Sequence, residues 1–296
     1  MVAFFRAFLL LILFACPLLA KEYPFVLSRG FLHPDAFDIG GQGNEVGFVF
    51  QNPARILPHT KELQLSGAVS SSPDFFGYDQ VSLASQLSID DIAFGFGMVS
   101  FSAGGLNEAT LDLNDRPRAT GKEFKDDMAR YVASFAVRYN EALRIGAQLT
   151  YFSRELFDNS VSYYGVDAGV YYETKFGLGL GAYTRGAYHS DYQWEDSKLP
   201  EDLQRTLIIE GDYRYKNMLG RLSTDFDMYR GMVQYQYGQL FGLHGDAVVD
   251  EDFSLKRYGA GTSVGLGRLQ FIYWYYMNKA GDRDLQQHSL GLRFAI

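Results

Sequence analysis

Cysteine occurs once in this chain, at Cys16, inside an N-terminal stretch built like an export signal. Arg6 gives a positive start, Ala7 to Phe14 an apolar run too short to cross a bilayer, and Leu18-Leu19-Ala20 a small residue where a signal peptidase cuts ahead of Lys21. Cleavage there leaves no cysteine, which excludes disulfide staples, thiolate zinc sites and a cysteine nucleophile. A second reading stays open: Leu13-Phe14-Ala15-Cys16 approximates a lipid-attachment box, and Cys16 would then carry the lipid. After the signal no stretch approaches about eighteen apolar residues, so no transmembrane helix is expected. Positive charge is short as well, with 27 Lys and Arg against 35 Asp and Glu, a net charge of −8. Losing Arg6 with the signal makes it −9 (−8 − 1), which argues against nucleic acid as a partner.

Tryptophan and proline are scarce, at 2 and 8, while glycine (31), tyrosine (21) and phenylalanine (24) abound. An exported chain without a spanning helix is either soluble or a barrel, and aromatic girdles with closely packed strands favour the barrel. Periodicity agrees. Tyr131, Ala133, Phe135, Val137 and Tyr139 alternate with Ser134, Ala136, Arg138 and Asn140. Leu143, Ile145, Ala147, Leu149 and Tyr151 then alternate with Arg144, Gly146, Gln148 and Thr150, and Leu269 to Met277 repeats the pattern. Runs of about ten residues suit a tilted strand crossing a bilayer better than a sandwich strand.

About fourteen such segments are predicted, starting near Leu63, Tyr78, Asp91, Arg130, Ala142, Ser160, Phe176, Gln204, Leu219, Gly231, Leu240, Arg257, Arg268 and Gln287. Tight turns at Asp90-Asp91, Asn140-Glu141, Thr174-Lys175, Lys216-Asn217, Gly238-Gln239 and Gly267 alternate with longer polar links, the longest from Gly104 to Met128. Arg230-Gly231 is the one short turn where a long one is due. Short turns on one side and long loops on the other mark a membrane barrel of even strand number. The last residues resemble the C-terminal signal read by the barrel assembly machinery, with Ser289, Gly291, Phe294 and Ile296 in the places it uses. The fold class expected is therefore all-β: a transmembrane antiparallel barrel of about fourteen strands over residues 59–296, in the outer membrane, with its lipids as neighbours.

Residues 21–58 do not alternate. They carry Phe25, Phe31, Phe37, Phe48 and Phe50 among glycines and turn residues, and such a segment needs apolar company to be ordered. It reads as a hatch, or plug, inside the barrel; a loosely packed periplasmic tail is the other reading. Gly40-Gly41 and then Gly47-Phe48-Val49-Phe50-Gln51-Asn52-Pro53-Ala54, directly ahead of alternating strands, resemble the N-terminal signature of the FadL-like outer-membrane family. Within it the likeness is nearest to the PorV and PorQ branch and its spirochaete relatives, through Ser162 to Tyr172 and Leu199-Pro200 as well. The resemblance implies a fourteen-stranded barrel with an N-terminal hatch, whose Asn-Pro-Ala corresponds to Asn52, Pro53 and Ala54. Pro53 fixes its own φ and extends Asn52, whose amide can tie backbone groups inside the barrel.

No enzyme, metal or cofactor chemistry is indicated. His288 and Ser289 are adjacent, so they point to opposite faces of a strand and cannot pair as a barrel phospholipase requires. His189 and Asp191 lack a second pair, and no His-Glu-x-x-His is present. The carboxylates at Glu210 and Asp212, and at Asp225 and Asp227, read as a polar lumen face balanced by Arg214 and Arg221. The resemblance implies passage of hydrophobic small molecules of the long-chain fatty-acid type, with the five phenylalanines as an apolar path. In that family the exit is a gap at a kinked third strand. Here Ile92, Phe94, Phe96 and Met98 share one face before Val99 and Phe101 take it over, which reads as a bulge or lateral opening around Gly95, Gly97, Met98 and Val99. The alternative function is an accessory role in protein secretion to the cell surface, with a secretion-system protein as partner in place of a hydrophobic ligand. A general polar porin is disfavoured by the plug.

Overall fold

A computed structural model describes residues 46–56, 62–72, 78–111, 117–156, 159–190, 205–238, 240–280 and 283–295. The strands are β1 (Glu62–Ser72), β2 (Tyr78–Ile89), β3 (Ile92–Leu111), β4 (Pro117–Arg138), β5 (Leu143–Leu156), β6 (Asn159–Glu173), β7 (Leu178–Arg185) and β8 (Tyr188–His189), followed by β9 (Thr206–Tyr215), β10 (Met218–Thr224), β11 (Met228–Tyr237), β12 (Phe241–Asp250), β13 (Leu255–Leu266), β14 (Leu269–Ala280) and β15 (Arg283–Ala295). Each pairs antiparallel with its neighbours, and β1 pairs with β15, so the sheet closes on itself. β7 and the short β8 both lie against β6 and are parted by Gly186 and Ala187, so they form one wall strand. Counted this way, the wall has fourteen strands.

The reason for the closure lies in the two faces. On β5, Arg144, Gly146, Gln148 and Thr150 are buried while Ile145, Ala147 and Leu149 are exposed. On β2, Gln80, Ser82, Gln86 and Ser88 are buried, whereas Val81, Leu83 and Leu87 lie outside. This is a soluble protein turned inside out. Phe96 is 61% exposed and Leu222 71%, and an apolar surface so extensive is stable only against hydrocarbon. The belt has aromatic borders. Tyr131, Tyr151 and Tyr164 form a row across β4, β5 and β6, with ring centroids 6.1 and 4.9 Å apart. Beyond that row the outward residues include Asp127, Ser153, Glu155 and Ser162. Tyr139, Phe176, Tyr215 and Tyr237 mark the opposite border. Tyrosine belongs at both levels because its ring takes the apolar side of the interface and its hydroxyl the wet one.

The expected sorting of links by length holds for one rim only. The tight turns all fall at one rim, helped by positive φ at Asp90, Lys216, Gly238 and Gly267. The links at the other rim are shorter than expected because the strands run on. The stretch expected as a loop from Gly104 to Met128 is mostly strand: β3 and β4 remain paired out to Leu111 and Pro117, beyond the ends of β2 and β5, as a two-stranded ribbon. The turn expected at Arg230-Gly231 is instead at Asp225-Phe226-Asp227, and Arg230 and Gly231 lie within β11. Gly231 is an outward-facing strand residue opposite Leu222 and Ala247, not a turn residue.

The third strand also departs from expectation. Its pairing with β2 and β4 is unbroken from Ile92 to Ser102, so no extra residue enters near Gly95, Gly97, Met98 or Val99. Register shifts occur only farther on, between Ala103 and Leu106 and between Asn107 and Ala109. Val99 and Phe101 stay on the lumen face with Ala93, Gly95 and Gly97. What changes at Val99 is the character of the lumen lining, not the phase of the strand.

Candidate functional site in the barrel lumen

Two short 3₁₀ turns, Val46–Phe50 and Pro53–Ile56, lie inside the ring. Phe48, Val49, Phe50, Asn52, Ala54 and Ile56 are at most 1% exposed. The wall residues they touch run from near the tight-turn rim, at Gly181 and Asp212, to mid-strand, at Gly97 and Gln148. Asn52 links the two turns. Its Oδ1 accepts from Ala54 N at 3.0 Å, and its Nδ2 donates to Val170 O at 3.1 Å and to Glu210 Oε1 at 2.8 Å. The tie to backbone groups anticipated for this amide is therefore present, and it extends to a carboxylate more than a hundred residues away.

The wall makes room by omitting side chains. A Cβ on Gly95 would stand 2.6 Å from Val49 Cγ2, and one on Gly146 would stand 2.5 Å from the backbone of Pro53 and Ala54. Gly97 likewise faces the Phe50 ring, Gly169 the Asn52 amide oxygen, and Gly181 the carboxylate of Glu210. Real Cβ atoms do not approach so closely, and at Gly146 the obstacle is rigid backbone. Gly146→Val should therefore cost well over the usual 1–3 kcal/mol of overpacking and dislodge the segment. Limited proteolysis checks this: the variant should be cut near Arg55 in a barrel that stays folded, while the unaltered protein resists.

One cation completes the contact. Arg55 Nη1 lies 3.0 Å from Glu210 Oε2 and 2.8 Å from Asp212 Oδ2, with all three side chains buried. Its guanidinium sits 4.1 Å from the Phe48 ring centroid and 4.6 Å from that of Tyr171. The Tyr171 hydroxyl donates to Asp212 at 3.1 Å. Charges taken this far from water are tolerable only when their remaining lone pairs are filled, and Asn52 and Tyr171 do that. On the other wall Val49 O accepts from Ser134 Oγ at 3.2 Å and from Gln148 Nε2.

Of the residues predicted to matter, Asn52, Pro53, Ala54, Phe48 and Phe50 come together here. Phe25, Phe31 and Phe37 lie outside the described residues, as do the export signal and Ile296. Met98 points outward, whereas Val99 is buried on the lumen face. Ser289 is buried in the lumen, and Phe294 lies opposite Leu65 on the outer face. Glu210 and Asp212 do line the lumen, but the cation resolved between them is Arg55 rather than Arg214 or Arg221. Asp225 and Asp227 belong to the turn between β10 and β11, not to a strand face. Sequence reasoning missed Gly146, Gly169 and Gly181. The available signal was a glycine in phase with Arg144 and Gln148 on a lumen face, which implies a closely approaching partner.

No family profile matches the chain, and no curated protein matches it. Among solved structures it resembles the toluene transporter TbuX of Ralstonia pickettii at 11% identity, with a TM-score of 0.60 over 86% of this chain and 94% of the other. It resembles the Pseudomonas putida toluene transporter TodX at 9% identity, with a TM-score of 0.57 over 84% and 92%. A FadL homologue of Pseudomonas aeruginosa gives 12%, 0.52, 86% and 93%. The architecture is shared. The fourteen-stranded antiparallel barrel expected from the sequence is the fold found, and these likenesses do not reach the PorV and PorQ branch.

Proposed function

We propose that this chain is an outer-membrane channel for hydrophobic small molecules, closed at its tight-turn end by a hatch formed from residues 21–58. The carrying observation is the docked segment 48–56 on its glycine-lined wall. Its apolar side chains join Val99, Val132, Ile272, Trp274 and Tyr276 in one buried cluster, so an apolar surface runs from the hatch up the lumen wall. A wall lined only by charged rings would serve a polar solute. The solved structures that share the fold include proteins described as toluene transporters, which supports the reading at the level of hydrophobic cargo. A long-chain fatty acid and a ring compound both fit it.

The test is uptake by cells lacking the protein, with and without its gene restored, using labelled toluene and a labelled long-chain fatty acid. Restoration should raise the initial uptake of at least one several-fold, and an apolar ligand should copurify in mild detergent. Unchanged uptake of both, together with a copurifying secreted protein, would replace transport by the secretion-accessory role.

A further inference from the structure

The lipid-facing wall is not evenly clad. Across β1 to β5 one outward row runs Leu65, Ser85, Phe96, Ala133 and Leu149, each the register partner of the next. Large and small side chains alternate along it, so Phe96 stands with a gap on either side. The adjoining row, Leu83, Met98, Tyr131, Tyr151 and Tyr164, holds large side chains throughout. Between the two rows lies an open, apolar groove of about 790 Å³, floored at Ser85 and Ala133 and walled by Phe96, Leu149 and the tyrosines. That size is within the range of small-molecule sites, about 300–1,000 Å³. The groove does not reach the lumen. β2, β3 and β4 stay paired beneath it, and the Phe50 ring fills the space behind Gly97. What occupies it therefore comes from the bilayer, where an unfilled apolar groove forfeits dispersion contacts that a hydrocarbon chain supplies.

The residues beyond the groove choose among lipids. Past the tyrosines comes a row of small side chains, Ser100, Ala129, Ser153 and Ser162, and then Asp79, Ser102, Asp127 and Glu155. Asp127 and Glu155 stand directly opposite each other on the outer face, and Ser102 Oγ donates to Asp127 Oδ1 at 2.5 Å. Like charges so placed destabilise the pair of strands, and a cation between them removes the cost. Lys125, the next outward residue on β4, lies farther from the groove. The two carboxylates are four residues beyond Tyr131 and Tyr151, about 13 Å along the strand. With the tyrosines at the edge of the hydrocarbon, that is headgroup territory. We infer that the groove is a binding site for a membrane lipid with an ammonium headgroup. One acyl chain lies in the groove, the ester region on the serine row, and the ammonium at Asp127 and Glu155. The inference rests on the barrel's place in a membrane and not on what passes through its lumen.

Native mass spectrometry of the folded protein, released from micelles holding equal amounts of dioleoyl phosphatidylethanolamine and dioleoyl phosphatidylglycerol, tests this. The unaltered protein should retain the ethanolamine lipid several-fold over the glycerol lipid. Asp127→Asn combined with Glu155→Gln should abolish that preference while lipid is still retained. Ala133→Phe, which fills the floor, should lose the lipid, whereas Val233→Phe on the outer face of β11 should keep it. Equal retention of the two lipids by the unaltered protein, or undiminished retention in Ala133→Phe, would overturn the assignment. So would a dimer that Ala133→Phe disperses, because the groove would then seat a second copy of the chain.

Discussion

Deleting residues 21–58 should leave a folded, heat-modifiable barrel whose conductance in planar bilayers rises by roughly an order of magnitude or more, since fourteen strands enclose a bore that water can fill once it is emptied. The wall does not need the segment for its own backbone pairing, because every strand but the short β8, which pairs with β6 alone among the described residues, finds both neighbours within the ring. What the deletion removes is the set of groups seated on Gly95, Gly97, Gly146 and Gly169, together with the charge of Arg55. Conductance as low as that of the intact protein would mean that this segment does not close the channel. Loss of the barrel itself would mean that it is part of the folding core.

Arg55→Met should produce the second large effect. Glu210 and Asp212 are 4% and 8% exposed, and without the guanidinium they become uncompensated buried carboxylates. Breaking a buried ion pair in this way costs about 3–5 kcal/mol, comparable to what holds a short segment in place. The segment should then leave its seat rather than the barrel unfold, and channel noise and protease cutting near residue 55 should both increase. The triple variant Arg55→Met, Glu210→Gln, Asp212→Asn should restore quiet channels, because neutral amides need no cation. If Arg55→Met is as quiet and as resistant as the unaltered protein, Arg55 is not what retains the segment.

The wall was legible because lipid imposes a strict rule on it. Each spanning strand must alternate, as Leu143 to Tyr151 does, and one rim is free to use short turns throughout. The errors fall where that rule is silent. Phe226 has φ 76 in the turn between β10 and β11, where Asp225 Oδ1 accepts from Met228 N; with Asp225 and Asp227 read as strand-face carboxylates, the sequence points instead to the nearest glycine, Gly231. Val99 and Phe101 read in sequence as a slipped phase because a barrel's lumen face is expected to be polar, whereas apolar lumen residues are needed where Phe50 packs. Within the site, Asn52, Pro53 and Ala54 stood out by type, but their partners did not. Arg55 meets Glu210 across 155 residues of chain, and nothing local to either residue signals the encounter. The glycines of the wall were visible, but only the three-dimensional packing shows what each one admits.

The order of strands around the ring also bears on how it assembles. Almost every pairing joins neighbours in the chain, so each hairpin can form from a small local loop at low entropic cost. The exception among the described pairings is the seam where Gln64 meets Ala295 and Ser71 meets His288. That seam cannot zip until both ends of the sheet have been brought together, and until then β1 and β15 each present an unpaired edge inside or beside a membrane. Unmet backbone groups are costly there. Closure is accordingly the slow and exposed step of biogenesis, and it falls on the strand that carries Ser289, Gly291 and Phe294. An assembly factor that grips β15 would shield that edge for as long as the seam stays open.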